Sequence, residues 1–222
     1  MSGKLIVFEG TDGSGKSTQF SLLCKAMEEQ GREFQKLIFP QYSEPSSALI
    51  RMYLGGEFGS SPSDVNAYAA SAFFAVDRYA SYKKVWGEYY EKGGLILSDR
   101  YTTSNAVHQA SKTADGEREE FLRWLNEFEQ ERLGLPKPTL VFWMDMPIER
   151  AVANLRSREA ATNTAADIHE VDSSYLQTCY DTARQAAAYY GWQRIACVNE
   201  AGELRTIEDI HGEIMEILSR HI

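Results

Sequence analysis

The sequence predicts an α/β fold in three layers, a five-stranded parallel sheet held between two layers of helices. Short, almost continuously apolar runs alternate with amphipathic stretches along the whole chain, which is how strands and crossover helices read. The apolar runs lack the alternation of a sheet with one wet face, so both faces are expected to be covered. The first run also passes through a glycine-rich turn directly into a helix.

In order, residues 5–9 form the first strand, and a helix runs from 17 to about 31. The second strand is 34–39. A long helix from 64 to about 92 carries Val65, Tyr68, Phe73, Phe74, Val76, Tyr79, Tyr82, Val85, Trp86 and Tyr89 most of the way round its circumference, so it needs cover on two sides and suits a subunit interface. The third strand, 95–98, is followed by a helix from 116 to about 133, and the fourth, 140–144, by a helix from 148 to about 157. Residues 158–166, REAATNTAA, are small and polar and read as a mobile loop, part of a lid at about 156–170. A helix from 171 to about 190, a strand at 194–198 and a helix from 207 to about 220 complete the chain. The last of these presents Ile207, Ile210, Ile214 and Ile217 at helical spacing, one stripe facing a core.

Composition narrows the function. The 222 residues are 43% hydrophobic and 25% charged, without repeats or low-complexity tracts, and read as a single domain over 1–222. No apolar run approaches the ~18 residues of a membrane span. The four apolar residues before Glu9 are too few for a secretory segment, so a cytoplasmic protein is expected. Cys24, Cys179 and Cys197 lie far apart without a CxxC pair, which fits reduced, buried thiols. A net charge of −9 repels nucleic acid and anionic membranes, and neither is expected as a partner. A phosphorylated ligand would have to be small and held by a few placed cations.

The turn after the first strand, Gly10-Thr11-Asp12-Gly13-Ser14-Gly15-Lys16-Ser17-Thr18, is a complete GxxxxGK[ST] phosphate-binding loop, the P-loop, in its required strand–helix context. Gly13 and Gly15 let backbone N–H groups close around phosphate oxygens at a helix N-terminus, Lys16 reaches the outer phosphates, and the Ser17 hydroxyl can sit on Mg²⁺. A P-loop serves kinases, GTPases and switch ATPases alike. The chain contains no Asn-Lys pair and hence no guanine-reading NKxD motif. The third strand ends in Asp99-Arg100-Tyr101, which sets a metal-directed carboxylate beside a phosphate-directed guanidinium. Such a pair suits a site where two phosphorylated ligands meet.

With these blocks in place, FEGTDGSGKSTQ (8–19), IRMYLGGEFG (50–59), FFAVDR (73–78), SDRYTTSNAVHQ (98–109) and ERLGLPKP (131–138), the chain resembles the thymidylate kinase family over nearly its whole length. The resemblance implies transfer of the γ-phosphate of ATP to dTMP with Mg²⁺, in a homodimer packed through helix 64–92. It implies ATP on Gly10 to Thr18, metal at Ser17 and Asp99, and catalytic roles for Asp12, Lys16 and Arg100. It implies a dTMP site built from Asp12, Pro40, Tyr42, Phe74, Arg78, Arg100, Ser104, Asn105 and His108. There Phe74 stacks on thymine, Arg78 donates to a base carbonyl, and His108 lies near C2′ of the sugar. A further catalytic arginine is expected from the lid, because the P-loop position after Asp12 is Gly13; Arg156 and Arg158 are the candidates. Asp167, Glu170 and Asp172 stand at the lid's far end, and 198–205 falls where the family contacts adenine. One departure stands out. The family commonly places an acceptor-phosphate arginine just after Phe39-Pro40, where this chain has Gln41 and Tyr42. A charge restored at Gln41 is expected to lower the KM for dTMP, unless Arg51 already fills that space.

Overall fold

The computed structural model describes residues 2–162 and 173–222, with the side chains of 158–162, 173 and 174 outside the description. The strands are β1 (Lys4–Glu9), β2 (Gln35–Ile38), β3 (Leu95–Asp99), β4 (Leu140–Asp145) and β5 (Gln193–Ala196). All pair in parallel, in the order β2-β3-β1-β4-β5. Each strand lies within one or two residues of its expected place.

The strands' period of two divides the core between the two faces of the sheet. On one face Ile6 and Phe8 pack with Phe20, Leu23 and Met27 of α1 (Lys16–Glu29), and with Ile210, Ile214 and Leu218 from near the C-terminus. On the other, Leu5 and Val7 meet Leu37, Ile96, Tyr101 and the fully buried Trp86. β1 has β3 on one side and β4 on the other, so the strand order reverses there. In such sheets ligands bind outside the carboxyl ends at the reversal. The P-loop after β1 and Arg100 after β3 both lie at that edge, with Phe8 opposite Asp99 in the register.

α2 (Ala48–Leu54) follows β2. The expected long helix is α3 (Ala67–Ser81), a π-helical turn Tyr82–Trp86, and α4 (Gly87–Glu91). Two more π-helical turns follow, Asn105–Gln109 and, continuing α5 (Arg118–Asn126), Glu127–Arg132. α6 (Ile148–Thr162) is longer than expected. Residues 158–162 are helical, not loop, because REAAT is rich in strong helix formers and offers no stop signal. The remainder of the expected lid, with Asp167, Glu170 and Asp172, lies outside the described residues. α7 (Ser173–Tyr190) and α8 (Ile207–Leu218) complete the layers, and among the described residues no helix is long and apolar enough to cross a membrane.

Candidate active site

Two cavities open at the carboxyl edge of the sheet. The first, about 270 Å³, is lined by every residue from Thr11 to Thr18 together with Asn154 and Leu155 of α6. Gly13 and Gly15 have φ of 80° and 83°, the left-handed region that glycine enters without cost. At Gly13 there is also no room for a side chain, since an added Cβ would stand 2.1 Å from the carbonyl oxygen of Ala151. Asn154 Nδ2 donates to the Gly13 carbonyl at 2.8 Å, so α6 rests directly on the loop. Lys16 Nζ lies 2.7 Å from Asp99 Oδ1, and Ser17 Oγ donates to Asp99 Oδ2 at 3.1 Å. Ser14 Oγ, buried and without a partner among the described residues, lines the same cavity.

The second cavity, about 160 Å³, is lined by Phe39, Pro40 and Tyr42 after β2, Leu54 of α2, Phe74 and Arg78 of α3, and Arg100, Tyr101, Ser104, Asn105, His108 and Gln109 after β3. Asp12 completes its wall. Asp12 therefore belongs to both cavities and marks where they meet.

Arg100 is fixed at that junction. Its φ of 66° is unusual for a side-chain-bearing residue, and such strain, of order 1–3 kcal/mol, persists only where the surroundings hold it. The backbone is tied by Arg100 N donating to Phe8 O at 3.0 Å and by Ser98 Oγ donating to Arg100 O at 2.6 Å. The guanidinium reaches Asp12 Oδ1 at 2.5 Å through Nη2; through Nη1 it reaches Glu9 Oε1, Ser104 Oγ and His108 Nε2, each at 3.3 Å. Desolvation alone would raise the Asp12 pKa. The Arg100 charge, joined by the neighbouring His108 and Lys16 and by the Arg100 hydrogen bond, outweighs it and holds the carboxyl well below the usual carboxylate range. His108 shows the opposite effect: burial, then the Arg100 charge, push its pKa down to about 4. A neutral imidazole follows, and because arginine can only donate, Nε2 is the acceptor and Nδ1 carries the proton toward Cys179 Sγ at 3.6 Å.

Glu9, fully buried at the end of β1, accepts from Gly10 N at 2.9 Å, Thr103 Oγ1 at 2.6 Å and Ser104 Oγ at 2.7 Å as well as from Arg100. Glu129, equally buried on its π-helical turn, holds Arg78 and Asn105. Sequence reasoning missed both carboxylates. An acid closing an apolar strand just before the P-loop is a signal for Glu9, whereas Glu129 sits in the acid-rich stretch NEFEQER, where nothing in the pattern sets it apart. Gln109 was also missed; it is buried, lines the second cavity, and its Oε1 has no partner among the described residues.

The sequence profile of the family described as thymidylate kinase matches residues 8–213. The chain belongs to the thymidylate kinase family. A thymidylate kinase of Mycobacterium tuberculosis is 32% identical over 192 residues, covering 85% of this chain and 87% of its own. A probable thymidylate kinase of Pyrococcus horikoshii is 28% identical over 228 residues, covering 100% and 98%. A thymidylate kinase structure from Candida albicans superposes with a TM-score of 0.71 at 19% identity, over 99% of this chain and 92% of that one, which shows the same fold.

Against what the thymidylate kinase resemblance implied, Asp12, Pro40, Tyr42, Phe74, Arg78, Arg100, Ser104, Asn105 and His108 all line the second cavity, and Asp12 to Thr18 all line the first. Arg156 is exposed on α6 and lines neither. The Arg158 side chain lies outside the description, although its position follows Ala151, Asn154 and Leu155 on one helical row. Gln41 does not line the second cavity, and its backbone N–H is held by Asp77 Oδ2 at 2.9 Å. Arg51 stands one turn before Leu54. Arg51 does not line the cavity either; its Nη1 donates to the carbonyl of Tyr42, which does, at 2.7 Å and to Ser47 Oγ at 2.6 Å.

Proposed function

We propose that this thymidylate kinase family member transfers the γ-phosphoryl group of ATP to dTMP, giving dTDP and ADP. The observation that carries this reading is Asp12 lining both cavities, with Arg100 bound to it at the junction. A donor phosphate chain on the P-loop and a monophosphate in the second cavity then face each other across one arginine.

Phosphoryl transfer asks the protein for alignment and for charge around the transferring group, with little covalent chemistry. The P-loop amides and Ser14 Oγ meet donor phosphate oxygens, and Lys16, parked on Asp99, is available to the outer phosphates. Ser17 Oγ and the Asp99 carboxylate are hard oxygen donors side by side, a set that fits Mg²⁺, which binds through one or two carboxylates, phosphates and water. Bound there, Mg²⁺ would neutralise charge spreading over the phosphoryl oxygens. Arg100 spans acceptor and donor phosphates, and Arg156 and Arg158 on α6 are the candidates for a further cation. In the acceptor cavity Phe74, whose ring meets Tyr53 edge-on at 6.3 Å, stacks on the base; Arg78 and Asn105 read its edge. His108 and Ser104 flank the sugar, and Asp12 lies within reach of its 3′-hydroxyl. Arg51 takes the acceptor phosphate in place of the arginine absent at Gln41.

The active unit is a homodimer packed through α3 and the π-helical turn after it, where Val76, Tyr79 and Val85 stay exposed in the single chain; a Val76→Glu variant that still sediments as a dimer would remove this face from consideration. The three buried, unpaired cysteines suit a reducing cytoplasm. An assay of ADP release with ATP, Mg²⁺ and a panel of acceptors tests the function. dTMP should exceed dUMP, dCMP, dAMP and thymidine, with little ADP formed without acceptor. Acceptor-independent hydrolysis would indicate a P-loop switch ATPase.

A further inference from the structure

Arg78 and Asn105, the two side chains that face a base in the acceptor cavity, converge on one buried carboxylate. Glu129 Oε2 accepts from Arg78 Nε at 2.7 Å, and Glu129 Oε1 accepts from Arg78 Nη2 at 2.6 Å and from Asn105 Nδ2 at 2.8 Å. Asn105 Nδ2 also donates to the carbonyl of Ser71 at 3.2 Å. Both partners of that nitrogen are acceptors without a proton to offer. The amide cannot turn over, because Oδ1 would then face a carboxylate and a carbonyl with no proton between them, leaving buried acceptors unpaired. Oδ1, an acceptor, is what Asn105 has left for the cavity. Arg78 gives its Nε–H and one Nη2–H to Glu129, so what remains, including both N–H groups of Nη1, can only donate.

We propose that Glu129 is a positioning residue that sets the base selectivity of the acceptor cavity, by locking one acceptor on Asn105 and one donor on Arg78. That pair complements a pyrimidine edge with N3–H beside a 4-carbonyl, as in thymine and uracil. It opposes the edge of cytosine, where a bare N3 would meet Oδ1 and a 4-amino group would meet the guanidinium. A site built on fixed hydrogen-bonding groups rejects the wrong edge strongly, because its buried groups are left unpaired. Glu129 also matches the Arg78 charge in place, so the cavity wall reads an edge without attracting any anion that enters.

The inference rests on the dTMP reading above, and the test separates the two. kcat/KM is measured for dTMP, dUMP and 5-methyl-dCMP with wild type and with Glu129→Gln. Wild type should favour dUMP over 5-methyl-dCMP by at least tenfold, since the edge and not the methyl group is read. In Glu129→Gln the new amide can donate to a turned Asn105, so the dTMP to 5-methyl-dCMP ratio should fall at least tenfold. The KM for dTMP should rise while the KM for ATP and the kcat with saturating dTMP change less than threefold, a split that general loosening of the fold would not give. A folded variant with an unchanged ratio overturns the role of Glu129 and leaves dTMP kinase activity standing. If the variant does not fold, wild type decides alone: 5-methyl-dCMP used as well as dUMP overturns the locked edge. A wild type that phosphorylates none of the three overturns both readings.

Discussion

His108 is a histidine that burial, and then the Arg100 charge, keep neutral, and its titration reaches beyond the site. In the unfolded chain it takes up a proton below about pH 6.5, in the folded chain only below about 4. Between those values the unfolded state binds more protons, so stability falls as the pH falls through this window. The loss attributable to His108 between pH 7.5 and 5 is about 2 kcal/mol at most. Asp12, whose folded pKa is depressed, loses its contribution only at lower pH, below the ordinary carboxylate range. Urea midpoints at pH 7.5 and 5 should therefore drop less for His108→Gln than for wild type, and equal drops would show that His108 titrates normally. A second residue-scale test concerns the acceptor phosphate. The sequence alone suggests that Gln41→Arg would repair an under-charged site, but Gln41 lies outside the cavity wall, whereas Arg51, though also outside it, is hydrogen-bonded to Tyr42 of that wall. Arg51→Ala should raise the KM for dTMP at least tenfold, as expected for losing charge-assisted hydrogen bonds, and Gln41→Arg should change it less than twofold. A clear fall in KM with Gln41→Arg would reverse this assignment.

At the scale of elements, the strands and the P-loop were legible because their signals are local, an apolar run or a glycine at a fixed offset. α2 was not, since ALIRMYL is too short to show helical periodicity. The π-helical turns were hidden for a different reason. Tyr82–Trp86 and Glu127–Arg132 each widen a helix that reads at a period of 3.6, Asn105–Gln109 falls where no helix was expected, and the last two turn Asn105, Gln109 and Glu129 inward. Which of the acids in NEFEQER goes inside depends on Arg78, 51 residues earlier, and no local pattern records that. α6 was underestimated at its C-terminal end, and the extension has a consequence for catalysis. A helix that seats Ala151, Asn154 and Leu155 on the P-loop can carry arginines toward the donor phosphates on rigid backbone. Changing Arg156 and Arg158 together to Ala should lower kcat by at least tenfold, well beyond any rise in the KM for dTMP, because such cations act on charge that develops late. A pure KM effect would count against them.

The whole molecule reconciles a net charge of −9 with two phosphorylated ligands by concentrating cations where the sheet order reverses. Lys16 and Arg100 stand there, each already paired with a carboxylate, Asp99 and Asp12, so the incoming phosphates exchange partners with groups held in place. The family was legible from its motifs, and so were many of the residues that line the two cavities, though not Leu54, Gln109, Asn154 or Leu155. The carboxylates Glu9 and Glu129 that hold those residues emerged only in three dimensions. If the two cavities form one reaction path through the Asp12–Arg100 junction, the phosphoryl group passes from one nucleotide to the other without release to water. The direct measurement is the fate of γ-labelled phosphate from ATP in the presence of Mg²⁺ and dTMP. The label should appear in dTDP one for one with ADP formed, and Lys16→Met should slow its appearance at least a hundredfold. Label released as inorganic phosphate at the same rate with and without dTMP would contradict the account.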